Sequence, residues 1–225
     1  MNGKFITFEG GECSGKTTII NTVCKTLEEK GIPFISTREP GGIDIAEQIR
    51  SIILDVNNTA MTEETEALLY AASRMQHLKE RVIPTIESGT NVICDRFLDS
   101  SLAYQGHARG LGMEAILRIN HFALDHLPDL TIFIDVKPEV ALKRLSNRDK
   151  SDRLDLESIK FHEDVYNGYI KVCEMYPNRV VKIDGNRELE EVCNECVNKV
   201  LEFIGRWSFW MLKVWLKIKR IFLIY

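Results

Sequence analysis

The residues Gly10–Gly11–Glu12–Cys13–Ser14–Gly15–Lys16–Thr17–Thr18 follow directly on the apolar run Phe5–Phe8, in the GxxxxGKT spacing. Glycines let a backbone fold around a polyphosphate and aim N–H groups at it. Lys16 adds a compact positive charge, and the Thr17 hydroxyl is a ligand for Mg2+. Thr17 to Lys30 reads as a helix, with Ile19, Ile20, Val23 and Leu27 at helical spacing and Gly31 as its stop. An anion in the loop would lie on the positive end of that helix. A glycine-rich turn that merely joins two core elements is the bland alternative, but strand, loop and helix together predict a nucleoside triphosphate site.

Further polar groups follow other apolar runs: Arg38–Glu39–Pro40–Gly41–Gly42 after one, Asp95–Arg96–Phe97 after another. Asp95 could orient a metal-bound water, and Arg96 adds cationic charge beside it. Tyr70 and Arg74 are one helical turn apart. A ring and a guanidinium so spaced can stack on a planar base and donate to its carbonyl, but spacing alone fits a half-buried tyrosine beside a solvated arginine more readily. Arg144, Arg148 and Arg153 crowd the polar stretch from Arg144 to Asp155, where a mobile lid could lie. Each taken singly is an ordinary surface arginine; clustered near a nucleotide cleft, they suit a closing electrophile. The five histidines show no HExxH spacing and Ser100–Ser101 no GxSxG elbow, so zinc hydrolysis and serine acyl transfer are unsupported.

Five strands are expected at residues 4–9, 32–37, 91–95, 130–136 and 179–183, separated by helical stretches. This is the pattern of an α/β fold: a five-stranded parallel sheet with helices on both faces, of the P-loop NTPase type. Ligands of such sheets sit beyond the carboxyl ends of the strands, so the polar runs named above should converge on one cleft. The stretch from Thr62 to Ser88 reads as helix, with Pro84 kinking or interrupting it. With 225 residues, 44% of them hydrophobic, the chain can bury one substantial core. Its formal charge of −4 offers no basic field for nucleic acid. Six scattered cysteines and a short polar opening fit reduced thiols and a cytoplasmic location, and Cys193 and Cys196 read as one buried helix face rather than half a zinc site.

Residues 207–225 differ from the rest. They hold all three tryptophans and the cations Lys213, Lys217, Lys219 and Arg220, while all 33 acidic residues precede them. Residues 1–206, with 25 basic residues, therefore carry −8. Three readings stand: a basic amphipathic helix on a membrane surface or partner, a helix covering the domain's own apolar surface, or an adventitious extension. The expected division is a catalytic domain over 1–205 and an extension over 206–225.

Residues 3–205 resemble the bacterial thymidylate kinases, which move the γ-phosphate of ATP onto dTMP. The resemblance rests on the phosphate loop with Glu12, the run Arg38 to Gly42, Tyr70–Ala71–Ala72–Ser73–Arg74, and Asp95–Arg96–Phe97 through Ser100–Ser101–Leu102–Ala103–Tyr104–Gln105–Gly106. It implies a homodimer using ATP and Mg2+, the metal held through Thr17 and Asp95. It implies that Glu12 contacts the sugar 3′-hydroxyl and that Arg96, Arg38 or Glu39, and Arg50 line the monophosphate. Tyr70 would stack on thymine, Arg74 and Gln105 would bond its O4 and N3–H, Ser101 would line that pocket, and Tyr104 would crowd out a ribose hydroxyl. Lys16, Arg96, Arg148 and Arg153 would be catalytic, the last two reaching the transferred phosphoryl from the lid. Cys13 stands where such proteins carry a small residue, which makes the loop oxidisable. Another nucleoside monophosphate kinase, or a nucleotide-dependent switch, are the alternative readings, although no NKxD base-reading signature is present.

Overall fold

A computed structural model describes residues 2–145, 153–154 and 156–222, giving only the backbone course for Leu142, Leu145 and residues 206–222. Five strands, β1 (Phe5–Glu9), β2 (Phe34–Arg38), β3 (Asn91–Asp95), β4 (Leu130–Asp135) and β5 (Val180–Asp184), form one sheet in the order β2-β3-β1-β4-β5. Every pairing is parallel. β1 is buried along its whole length, which accounts for its almost continuous apolar run; a parallel sheet covered on both faces leaves no solvent side for polar alternation. Thr7 and Thr131, opposite each other in β1 and β4, bond hydroxyl to hydroxyl at 2.8 Å and so satisfy two buried polar groups.

Helices α1 (Lys16–Glu29) and α9 (Leu189–Phe222) cover one face, packing Ile19, Val23, Cys193, Cys196 and Val200 against Ile6, Phe8 and Ile132. Cys193 and Cys196 are free thiols within that core, as the packing reading expects. The other face is covered by α3 (Glu63–His77), by α8 (Ile159–Met175) and by the segment from α5 (Leu98–Ser101) through a wide π-type turn at Leu102–Ala108. Its core joins Phe5, Phe97, Leu102, Phe133, Phe161 and Tyr169.

The Thr62 hydroxyl caps α3 by accepting from Thr65 N–H at 3.3 Å. The helical stretch changes character ahead of Pro84: a π-type turn at Leu78–Val82 leads into α4 (Ile83–Glu87), which has Pro84, with no N–H to donate, in its first turn. Two short helices, α2 (Asp44–Leu54) and α6 (Met113–Ile119), flank α3, and α7 (Pro138–Leu145) follows β4. The helical backbone of α9 continues past residue 206 without a break. No helix among the described residues is long and apolar enough to cross a membrane.

Candidate active site

The carboxyl ends of β1, β2 and β3 open on one cleft of about 600 Å³. In the loop after β1, Gly10 has φ 151°, and a Cβ there would come within 2.9 Å of Ser14 Oγ and 3.0 Å of the Ile134 carbonyl oxygen. Only glycine allows that approach. Gly15 (φ 90°) starts α1, and Gly11 and Glu12 complete the turn. The Lys16 ammonium is buried within the loop, donating to Gly10 O at 3.0 Å, Gly11 O at 2.9 Å and Ser14 Oγ at 3.2 Å. Burial, and then the neighbouring Arg96 charge, pull its pKa down. Thr17 and Thr18 lie exposed along the cleft.

Asp95, at the end of β3, lines the cleft with Thr17, and its buried Oδ1 has no hydrogen-bond partner among the described residues. An unsatisfied carboxylate oxygen near a hydroxyl fits an octahedral Mg2+ that keeps most of its waters. The described residues hold no cluster of three or more metal-ligating acidic, histidine or cysteine side chains.

Arg96, at φ 68°, turns back across the loop, and its guanidinium donates to Gly10 O at 2.9 Å, Tyr169 Oη at 3.0 Å and Glu12 Oε1 at 2.5 Å. Tyr104 Oη donates to the same Glu12 oxygen at 2.9 Å. Beneath them lies Glu9, fully buried, which accepts from Phe97 N–H at 2.7 Å, Ser100 Oγ at 2.6 Å and Tyr169 Oη at 2.9 Å. Burial, then the charge of Asp99, push the Glu9 carboxyl up to about 7.

The part of the same cleft walled by Tyr70, 9% exposed, forms a chamber. Arg74 is 1% exposed, so the solvated-arginine reading of the Tyr70–Arg74 pair is wrong: its guanidinium donates to Glu39 Oε2 and Asn120 Oδ1 at 2.8 Å, Ser101 Oγ at 3.0 Å and Phe97 O at 3.1 Å. Glu39, expected near a phosphate, is 3% exposed and also bonded to His77 Nδ1 at 2.9 Å. Arg50 lines the cleft with one N–H on Pro40 O at 2.8 Å, and Arg38 reaches Glu47 at 2.8 Å.

Gln105 also lines the chamber, its Nε2 donating to Glu66 Oε1 at 2.8 Å. Glu66, one turn before Tyr70 on α3, accepts as well from Arg109 and Arg153. Burial raises the pKa of the Glu66 carboxyl, but Arg109, and then the bonds from Arg153 and Gln105, outweigh it and hold the group below its ordinary range. Arg153, expected at the transferred phosphoryl, is instead held by Glu66 and, at 2.9 Å, by the Ile53 carbonyl. Two acceptors, one of them charged, explain that placement. Arg144 reaches Cys13 O at 3.4 Å, and Arg148 lies outside the described residues.

Glu9, Glu66 and Tyr169 were not singled out in sequence. Glu66 had a signal, its four-residue spacing before Tyr70; Glu9 had one too, as a carboxylate closing an apolar strand. Tyr169 had none.

One cleft is therefore lined both by the glycine-rich loop with Lys16 and by the Tyr70 ring with Arg74 and Gln105. That arrangement is the signature of a P-loop phosphotransferase acting on a small acceptor. The sequence profile described as thymidylate kinase matches residues 8–196. The chain is 57% identical over 196 residues to a thymidylate kinase of Clostridium novyi, covering 86% of this chain and 96% of that protein. It is 51% identical over 209 residues to one of Bacillus velezensis (92% and 99% covered) and 54% over 202 residues to one of Halalkalibacterium halodurans (88% and 96%). The chain belongs to the thymidylate kinase family.

Proposed function

We propose that this chain transfers the γ-phosphoryl group of ATP to dTMP, giving dTDP for dTTP synthesis. The observation that carries this reading is the single cleft joining the Lys16 loop to the Tyr70 chamber. The Lys16 ammonium exchanges the Gly10 and Gly11 carbonyls for the donor's phosphate oxygens. The loop amides hold the polyphosphate against the start of α1, and Arg96, with Arg50 and Arg38, draws the acceptor monophosphate into line. Thr17 and Asp95 would hold Mg2+, which would supply neutralisation of phosphate charge. Catalysis is then positional and electrostatic, and one cationic clamp is worth roughly 10²–10³-fold in rate. Tyr70 stacks on thymine, Arg74 and Ser101 lie beside its O4, Glu12 takes the sugar hydroxyl, and Tyr104 closes the space a ribose 2′-hydroxyl would need.

A coupled ADP-release assay with dTMP, dUMP, dCMP and AMP tests this. The expected result is a clear preference for dTMP, abolished in Lys16→Ala. A preference for dCMP or AMP would reassign the acceptor to another nucleotide, and ATP binding without turnover would favour a switch.

The protein acts as a cytoplasmic homodimer, for which light scattering should give about twice the chain mass. The unbroken helical backbone of α9 and the aromatic, basic sequence of 207–225 support a contact with anionic membrane surfaces. Sedimentation with anionic liposomes, with and without residues 207–225, tests that contact; equal sedimentation would refute it.

A further inference from the structure

A side-chain amide near a base can present either its oxygen or its NH2, and the two faces select opposite partners. Gln105 is buried and lines the acceptor chamber, so its orientation decides which base edge it matches. Its neighbour on the far side is the Glu66 carboxylate, at 2.8 Å. An ionised carboxylate accepts only, so the Gln105 atom facing it must be Nε2. Arg109 and Arg153 keep Glu66 charged and immobile, since Arg109 Nη2 lies 3.2 Å from it and is itself held by Glu157 at 2.6 Å. No hydrogen bond among the described residues takes Gln105 Oε1.

We propose that Glu66 is the positioning residue that sets acceptor-base preference, by locking the Gln105 amide with its oxygen toward the base. An acceptor so presented matches an N3–H, which thymine and uracil carry, and opposes the N3 lone pair of cytosine. Glu66 does not line the cleft, so its action passes through Gln105. This rests on the reading of the chamber as a pyrimidine nucleotide site.

The test compares kcat/KM for dTMP and dCMP in the full-length wild type, Glu66→Gln and Glu66→Asp. Glu66→Gln can donate as well as accept, so Gln105 is free to turn. Glu66→Asp keeps the charge facing both arginines but withdraws it from Gln105 by about one bond length, ~1.5 Å. The dTMP-to-dCMP ratio is expected to fall by about tenfold or more in each folded variant, the scale of one matched hydrogen bond. A merely structural role would lower both substrates together, and a folded variant with the wild-type ratio would overturn the proposal. Circular dichroism melting identifies which variants are folded; should Glu66→Gln not fold, Glu66→Asp decides. If wild-type protein shows no preference for dTMP over dCMP, the chamber assignment itself has failed, a separate outcome from loss of the Glu66 effect.

Discussion

Arg74 Nε and Glu39 Oε2 meet at 2.8 Å in the interior, with 1% and 2% of their side chains exposed. The pair ties α3 to the loop after β2, and Asn120, Ser101 and the Phe97 carbonyl take the other guanidinium N–H groups. Removing one partner strands the other charge in a medium that solvates it poorly.

Arg74→Ala is therefore expected to cost about 3–5 kcal/mol in denaturant unfolding. Glu39→Ala should cost a similar amount, and the double variant much less than the sum of the two, because the second substitution removes the charge that the first left unpaired. Additive costs would mean that the two side chains act independently.

Glu9 gives a pH signature. Its carboxyl is raised to about 7 by burial and by Asp99, against the donors Phe97 N–H, Ser100 and Tyr169 and the Arg96 charge. Between the ordinary carboxylate range and pH 7 the unfolded chain releases this proton while the folded chain keeps it, so stability falls as pH rises across that window and is level above it. The fall should be about 3 kcal/mol at most. In Glu9→Gln this part of the slope disappears whatever constant packing cost the substitution adds. Parallel wild-type and variant curves of stability against pH from 4 to 8 would contradict the shift.

Lys16→Ala should keep its fold yet lose turnover by roughly 10³-fold, with ATP affinity reduced as well. Isothermal titration with ATP alongside the ADP-release assay separates the two effects. Retention of even a tenth of wild-type turnover would remove Lys16 from the phosphoryl-transfer machinery.

Cys13 has φ 52°, a left-handed conformation that costs a side-chain-bearing residue about 1 kcal/mol. Cys13→Gly should relieve this, with unfolding free energy rising by up to about 1 kcal/mol. The Cys13 sulfur is not in a disulfide and is partly accessible. Peroxide should inactivate the wild type and spare Cys13→Gly; equal inactivation of both would locate the sensitive group elsewhere.

The strands and the phosphate loop were legible because their information is local: an apolar run of five residues, glycines at fixed spacing, a lysine and a threonine. Strand ends came within one or two residues, β2 being the worst because Ile32 and Pro33 extend its apolar appearance before pairing begins at Phe34. The chamber was legible only through resemblance. Spacing put Tyr70 and Arg74 together but misjudged the burial of Arg74, since its partners lie 23 to 46 residues away. Glu66 shows the same limit, its contacts with Gln105, Arg109 and Arg153 spanning 39, 43 and 87 residues. Arg153 meets the same limit, because a lid arginine looks the same in sequence whether it reaches for phosphate or anchors on a carboxylate.

The internal coordination of Lys16 bears on how a nucleotide is captured. With its ammonium already clasped by two carbonyls and a hydroxyl of the loop, the receiving shape stands ready before any visitor arrives. Entry of a polyphosphate then becomes an exchange of oxygens around a stationary cation, so calorimetry should register a small heat-capacity change and stopped-flow mixing a single concentration-dependent phase.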